Sequence, residues 1–293
     1  MKWLAVVNRA AGRSQEAERC LAALERMPSL SAVATFTDGQ GSGTRIARDA
    51  RDFDGLIVIG GDGTISECLT GMDLPRQKLA IIPAGHGMCL ARDLGLSRPA
   101  DALEALQHPC WRALDLMEVT VESSGADPAR RLCASTLAVG YVTEVVTMGR
   151  RRFTGLGHAA YGAAAMFTLP RPFRARADTT GSVGDDWQTC TGVVVNNTAH
   201  LANFRAFPQA RLDDGVLDVM WQGCGWLRQL AHNVAVLAGS TKFGPRAIQQ
   251  SARVDLHVET PSTLMADGEL LPGITRLSVA CRQAAVSCAT GSQ

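Results

Sequence analysis

Apolar and polar positions divide the chain into two textures. Leu4-Ala5-Val6-Val7 is a short, wholly apolar run of the kind that becomes a buried parallel strand, and Ser14 to Met27 follows with helix formers at amphipathic spacing. The alternation repeats as a strand at Ser31 to Thr37, a loop Asp38-Gly39-Gln40-Gly41-Ser42-Gly43 and a helix from Thr44 to about Asp52. A strand at Gly55 to Ile59, a short helix at Ser66 to Met72 and a strand at Leu79 to Ile82, ended by Pro83, complete the series. Strands alternating with helices predict right-handed parallel units and an α/β sheet that presents ligands at the carboxyl ends of its strands.

After Ala113 the texture changes. Short β-rich segments at Leu116 to Glu122, Arg131 to Val139, Thr189 to Val195, Val216 to Trp221 and Arg253 to Glu259 predict an antiparallel β-sandwich. Helical patterns interrupt them at Gly157 to Leu169 and Leu227 to Ala238, and turn chemistry fills Ser123 to Pro128 and Thr179 to Asp186. The expected class is therefore α/β plus β.

Length agrees with two domains, since 293 residues exceed the roughly 100–200 typical of one. Apolar residues at 46% and charged residues at 19% suffice for a core and argue against disorder. The 29 Lys and Arg nearly balance the 28 Asp and Glu, so no chain-wide field attracts nucleic acid. Nine cysteines stand singly, without C-x-x-C spacing, and read as free thiols of a reducing cytosol. The apolar run after Met1-Lys2-Trp3 is too short for a signal sequence, and no apolar stretch reaches the roughly 18 residues of a spanning helix, so a cytoplasmic protein is expected.

The chemistry concentrates at Gly60-Gly61-Asp62-Gly63-Thr64, where the third strand meets a helix. Glycines there let backbone N–H groups approach an anion, and the helix dipole adds positive potential, so polyphosphate is the natural guest. Asp62 would repel phosphate unless a divalent cation or its water lies between them, which points to magnesium. Thr64 can donate to phosphate or cap the helix. By composition alone the same run is also an ordinary strand-to-helix turn.

Ile59 to Glu67 resembles the signature shared by diacylglycerol, sphingosine and ceramide kinases. The resemblance extends through Pro83-Ala84-Gly85, Ala91 to Leu96, Ala134 to Val146, Gly157 to Tyr161 with Arg171-Pro172-Phe173, Pro208 to Val219 and Ala266-Asp267-Gly268-Glu269. On these blocks the chain is identified as a member of the diacylglycerol kinase-like lipid kinases. The family implies a nucleotide-binding α/β domain, here 1–112 and 275–293, around a β-sandwich lipid-substrate domain at 113–274. It implies ATP and Mg2+ as well.

Carried over by position, the nucleotide contacts are Asn8, Thr37, Gly60, Gly61, Asp62, Gly63, Thr64, Glu67, Gly85 and His86. Glu269 matches the proposed general base, with Asp267 to orient it or a metal-bound water; a carboxylate is needed because a lipid hydroxyl is a weak nucleophile until its proton is accepted. Asp214 matches a magnesium position completed by the backbone carbonyls of Arg211 and Val216, and Asp115 an acid that joins Asp62 in holding metal-bound water. Read without the family, Asp267-Gly268-Glu269 and Asp213-Asp214-Gly215 are hairpin turns.

Two departures qualify the match. Arg9 replaces the proline of an N-P-x-x-G turn that spans Asn8 and Gly12, and the usual P-x-G-T-x-N-D block is Pro83-Ala84-Gly85-His86-Gly87-Met88-Cys89. His86 can still donate a hydrogen bond or serve as an ordinary surface or capping residue, but Cys89 is a poor substitute for a hard oxygen ligand. Either another acid compensates, or turnover is slow, or the fold binds without transferring phosphate. A kinase of soluble substrates such as NAD kinase, whose loop is also G-G-D-G-T, is the further alternative. Arg150, Arg151, Arg152, Arg171, Arg174 and Arg176 form either a solvated face or a contact for an anionic membrane.

Overall fold

The computed structural model describes residues 1–9, 14–28, 30–85, 88–153, 159–179, 186–202, 204–223, 225–237 and 248–291. Gly12, His86, Gly87, the first two residues of the expected helix at Gly157 to Leu169 and most of the expected turn segment at Thr179 to Asp186 fall outside them.

The first part alternates as the pattern predicts: β1 (Lys2–Val7), α1 (Ser14–Glu25), β2 (Ser31–Phe36), α2 (Ser42–Asp49), β3 (Gly55–Gly60), α3 (Asp62–Gly71) and β4 (Lys78–Pro83). All pairings among these strands are parallel, in the order β4-β3-β1-β2. β3 is buried throughout, as a central strand covered on both faces has to be. The helix expected at Ser66 begins four residues earlier, at Asp62, because extended Gly61 serves as its N-cap and an acid in the first turn suits the helix dipole. Two short helices that the pattern did not single out, α4 (Cys89–Asp93) and α5 (Pro99–Gln107), follow β4.

The second part runs β5 (Cys110–Ser123), β6 (Ala129–Cys133), β7 (Thr136–Gly140), α6 (Tyr141–Arg152), α7 (Ala160–Phe167), β8 (Phe173–Asp178), β9 (Gln188–Cys190) and β10 (Gly192–Asn196). β11 (Leu217–Gln222), α8 (Trp226–Leu237), β12 (Ile248–Ser251), β13 (Arg253–Ala266) and β14 (Glu269–Thr290) complete it. The segment read as one strand from Arg131 to Val139 is two strands, since the backbone of Ala134 and Ser135 turns away to bind a side chain. Helix α6 replaces what β-branched Val142, Thr143, Val145, Val146 and Thr147 disguise.

β14 unites the halves. It pairs antiparallel with β13 and β5, and near its end runs parallel to β4 at Ser287–Lys78 and Cys288–Leu79. Its ladder with β5 is interrupted between Arg282 and Val286, where Ala284 has φ 46°. Buried Asp115 on β5 pins this irregularity. One carboxylate oxygen accepts Ala284 N–H at 2.8 Å and the other accepts Gly215 N–H at 2.7 Å.

Alternation sorts the core. Val193 and Val195 of β10 enter the core enclosed by the antiparallel strands, whereas Val194 packs with Val142, Phe207, Met220 and Met265 beside α6. That second face becomes the wall of the site.

Replacing Asp115 with Ala strips two buried N–H groups of their acceptor, so Asp115→Ala is expected to lower unfolding free energy by roughly 2–4 kcal/mol in urea titration. A change under about 0.5 kcal/mol would show that the carboxylate does not brace this crossing.

Candidate functional site

One cleft of about 1110 Å3 receives the loops that follow β1, β2, β3 and β4. Its lining includes Asn8, Thr37, Gly61, Asp62, Gly63, Thr64, Glu67 and Gly85, together with Asp267 and Glu269 from the β13–β14 turn. These ten residues span positions 8 to 269, and the fold brings them to one chamber. Gly60 lies at the end of β3 and does not line the cleft, and His86 lies outside the described residues.

Glycine is required where the loops touch. A Cβ on Gly85 would sit 2.6 Å from Gly61 Cα, so neither loop could hold this position with a larger residue at 85. Asn8 crosses from β1 and donates Nδ2–H to Thr64 Oγ1 at 2.8 Å, tying the first loop to α3.

Glu67 performs a task its position did not reveal. Its two carboxylate oxygens accept the N–H groups of Gly41 and Gly43, at 2.8 and 2.9 Å, and its carbonyl accepts the Thr44 hydroxyl at 2.9 Å. The acid thus neutralises the amino end of α2 and fixes the loop of Asp38 to Gly43 against the cleft.

Asp62 is half-buried: it meets the cleft, yet enough protein surrounds its carboxyl that burial pushes its pKa up. The N–H groups of Cys89 (2.9 Å) and Leu90 (3.4 Å) point at it and oppose the rise, while the charge of Asp93 adds to it. Cys89 therefore meets Asp62 through its backbone N–H and its thiol. Burial and then the charge of Asp62 push its thiol pKa well up. Asp93, one turn further along α4, was not singled out from the sequence. It contacts Ala199 N–H and His200 Nδ1.

Asp267 is buried at φ 45° in the hairpin turn, an uncommon conformation for a residue other than glycine. Its carboxylate accepts the N–H groups of Ala134 (2.7 Å), Ser135 (3.0 Å) and Thr136 (2.8 Å), which is why β6 and β7 are separate strands. Burial and then the charge of Asp62 nevertheless raise its pKa to about 7, against the three hydrogen bonds. The turn rests on the glycine loop so closely that a Cβ on Gly63 would lie 3.4 Å from the Asp267 carbonyl oxygen.

Next to it, Glu269 points its carboxylate at Arg131 (2.6 Å, one-fifth exposed on both sides) and at the Gln40 amide. Arg150 on α6 meets the carbonyl of Gly268. Arg131 and Gln40 carried no local signal, being 138 and 229 positions away from their partner.

Much of the remaining wall is apolar, with Val142, Val145, Leu201, Phe204, Met220 and Met265 in it. Asp115, Arg211, Asp214 and Val216 stand elsewhere: Asp214 is exposed, and its carboxylate accepts Val216 N–H at 3.2 Å in the loop that Asp115 braces. Among the described residues no three His, Cys, Asp or Glu side chains gather as a ready metal cage. The arginines also separate. Arg151, Arg152 and Arg171 are exposed, whereas Arg174 pairs with Glu259 at 2.8 Å, and it and Arg176 lie over the Trp187 ring.

A raised carboxyl pKa means that the fold holds the Asp267 proton more tightly than the unfolded chain does. The stability linked to it is complete below about pH 3.8 and is lost as pH climbs through about 7. Without nucleotide or divalent cation, unfolding free energy from urea titrations is expected to fall across this range, and Asp267→Asn is expected to flatten the fall. An unchanged slope in that variant would contradict the assignment.

Residues 2–119 match the family model of the diacylglycerol kinase catalytic domain. A diacylglycerol kinase of Bacillus subtilis is 26% identical over 249 residues, covering 80% of this chain and 78% of its own. A protein of Stenotrophomonas maltophilia named as a probable YegS-like lipid kinase is 28% identical over 280 residues, covering 88% and 83%. A solved structure of a diacylglycerol kinase from Bacillus anthracis superposes with a TM-score of 0.77 over 99% of this chain and 97% of that one, at 20% identity, and so shares the fold. Domain match, relatives and fold point the same way: residues 2–119 match a diacylglycerol kinase catalytic domain, and over four-fifths of its length the chain is similar to diacylglycerol and lipid kinases.

Proposed function

We propose that the chain transfers the γ-phosphate of ATP to a hydroxyl of diacylglycerol or a related lipid. One observation carries this reading: a single cleft is lined by the glycine loop on one side and by an apolar wall on the other, with Glu269 in its lining. A polyphosphate and a hydrocarbon chain would meet at that carboxylate.

In the proposed step Glu269 accepts the proton of the lipid hydroxyl as its oxygen forms a bond to the γ-phosphorus. The bond from that phosphorus to the β–γ bridging oxygen breaks, and ADP leaves with the electron pair. Arg131 and Gln40 fix the direction of the Glu269 carboxylate, and Asp267 sets the turn that carries it. N–H groups of Gly61, Gly63 and Thr64 at the start of α3 favour the nucleotide phosphates.

The fit for magnesium rests on two acids, Asp62 and Asp267, that line one cleft, the charge of Asp62 raising the proton affinity of Asp267, a repulsion that a cation would relieve. Those two residues would hold it, directly or through water, and it would neutralise charge on the phosphates. With a thiol at Cys89, the duty of its missing acid falls to them. A second cation would suit Asp214 with the carbonyls of Arg211 and Val216.

No helix among the described residues is long and apolar enough to cross a membrane. A cytoplasmic enzyme that meets an anionic membrane through Arg151, Arg152 and Arg171 near exposed Phe167 and Leu169 belongs to the same proposal.

Purified protein given labelled ATP, magnesium and a panel of diacylglycerols, sphingoid bases and ceramides should yield labelled lipid, and with NAD no NADP. Labelled lipid from no class would reject the reading. Glu269→Gln is expected to lower kcat by about 10^2- to 10^4-fold while ATP binding persists. Undiminished turnover in that variant would remove Glu269 from its role.

A further inference from the structure

The apolar part of the cleft holds a polar cluster that phosphoryl transfer does not use. Tyr141, Gln222, Gln229 and Asn233 all line it, each less than a tenth exposed. Asn233 Nδ2 donates to the Tyr141 hydroxyl (2.6 Å) and to the Ala165 carbonyl (2.9 Å), and Gln229 Nε2 donates to Asn233 Oδ1 (3.0 Å). The Tyr141 hydroxyl in turn donates to the Ala165 carbonyl at 2.6 Å. Gln222 differs from its neighbours: its Oε1 is buried without any hydrogen-bond partner. Its amide packs over Gly192, where a Cβ would lie 2.0 Å from that oxygen, so the glycine is what admits the side chain.

Helix α6 gives the distance from the chemistry. Arg150 touches the Gly268 carbonyl beside Glu269, and Tyr141 lies nine positions earlier on the same helix, with both residues lining the cleft. At about 1.5 Å per residue the cluster sits roughly 14 Å from the reacting end. A hydrocarbon chain extended along the cleft would bring its middle, not its head, to Gln222.

Gln222 Oε1 is already buried without a partner, and a plain hydrocarbon packed beside it would leave it so, at the penalty attached to any buried unsatisfied polar group. A chain with a hydrogen-bond donor at that depth would supply the missing partner. We propose that the acceptor site selects lipids whose apolar chain carries a hydrogen-bonding group in its middle, a hydroxyl or an amide N–H, with Gln222 as the specificity-determining residue. The inference rests on the reading of this cleft as the lipid-acceptor site.

The test uses three 1,2-diacylglycerols of equal chain length in detergent micelles: one plain, one with a mid-chain hydroxyl and one with a mid-chain amide. Kd for the full chain is measured by calorimetric titration, and turnover is scored separately. Expected is at least about tenfold tighter binding of the hydroxyl or the amide lipid than of the plain one, with the two arms telling which donor is preferred. Gln222→Leu should bring that ratio close to one. Asn233→Leu, which removes the centre of the same cluster, should reduce it if Gln222→Leu does not fold. Equal affinities in the unaltered protein, no binding of any of the three, or a ratio that survives Gln222→Leu would overturn the proposal. A binding preference without phosphorylated lipid keeps this inference and removes the kinase reading, whereas turnover without preference does the reverse.

Discussion

The carboxylate of Asp267 holds the site together. It is buried, it sits in a turn at positive φ, and it gathers three backbone N–H groups from the break between β6 and β7. Those bonds place the β13–β14 turn against Gly63 of the phosphate loop, so the acid from one half of the molecule meets the glycines of the other. An isolated carboxyl at this depth would be costly, and its raised pKa is the residue of that cost after the three hydrogen bonds have acted.

Around this joint the fold separates tasks by chemistry. Parallel strands end in glycine-bearing loops that line the cleft, while antiparallel strands and α6 present valine and methionine to the same chamber. β14 links them covalently and by hydrogen bonds, and Asp115 pins the irregularity at which it passes from one half to the other. At Cys89 the altered block keeps two N–H groups aimed at Asp62, with a thiol where the acid was expected.

Local pattern sufficed for much of the first half. The β1, β3 and β4 runs are apolar throughout, and Gly60 to Thr64 is a contiguous signal that needs no distant partner. The second half was harder because its determinants are remote in sequence. β-branched residues concealed α6, and the split between β6 and β7 is imposed by an acid more than 130 positions away. Spacing alone made Asp267-Gly268-Glu269 a hairpin, and it is one; the family resemblance was needed to see the acids as more. Glu67 was visible as an acid near the loop, yet its grip on Gly41 and Gly43 depends on how α2 packs against α3. Nothing local marked Arg131 or Gln40 as the partners of Glu269.

A single displacement in one shared cleft makes a stereochemical demand. With ATP whose γ-phosphorus is made chiral by oxygen isotopes, direct attack by the lipid hydroxyl predicts a lipid phosphate inverted at phosphorus. Retention of configuration would mean two transfers through a phosphorylated enzyme, and would contradict the account in which Glu269 removes a proton and does no more.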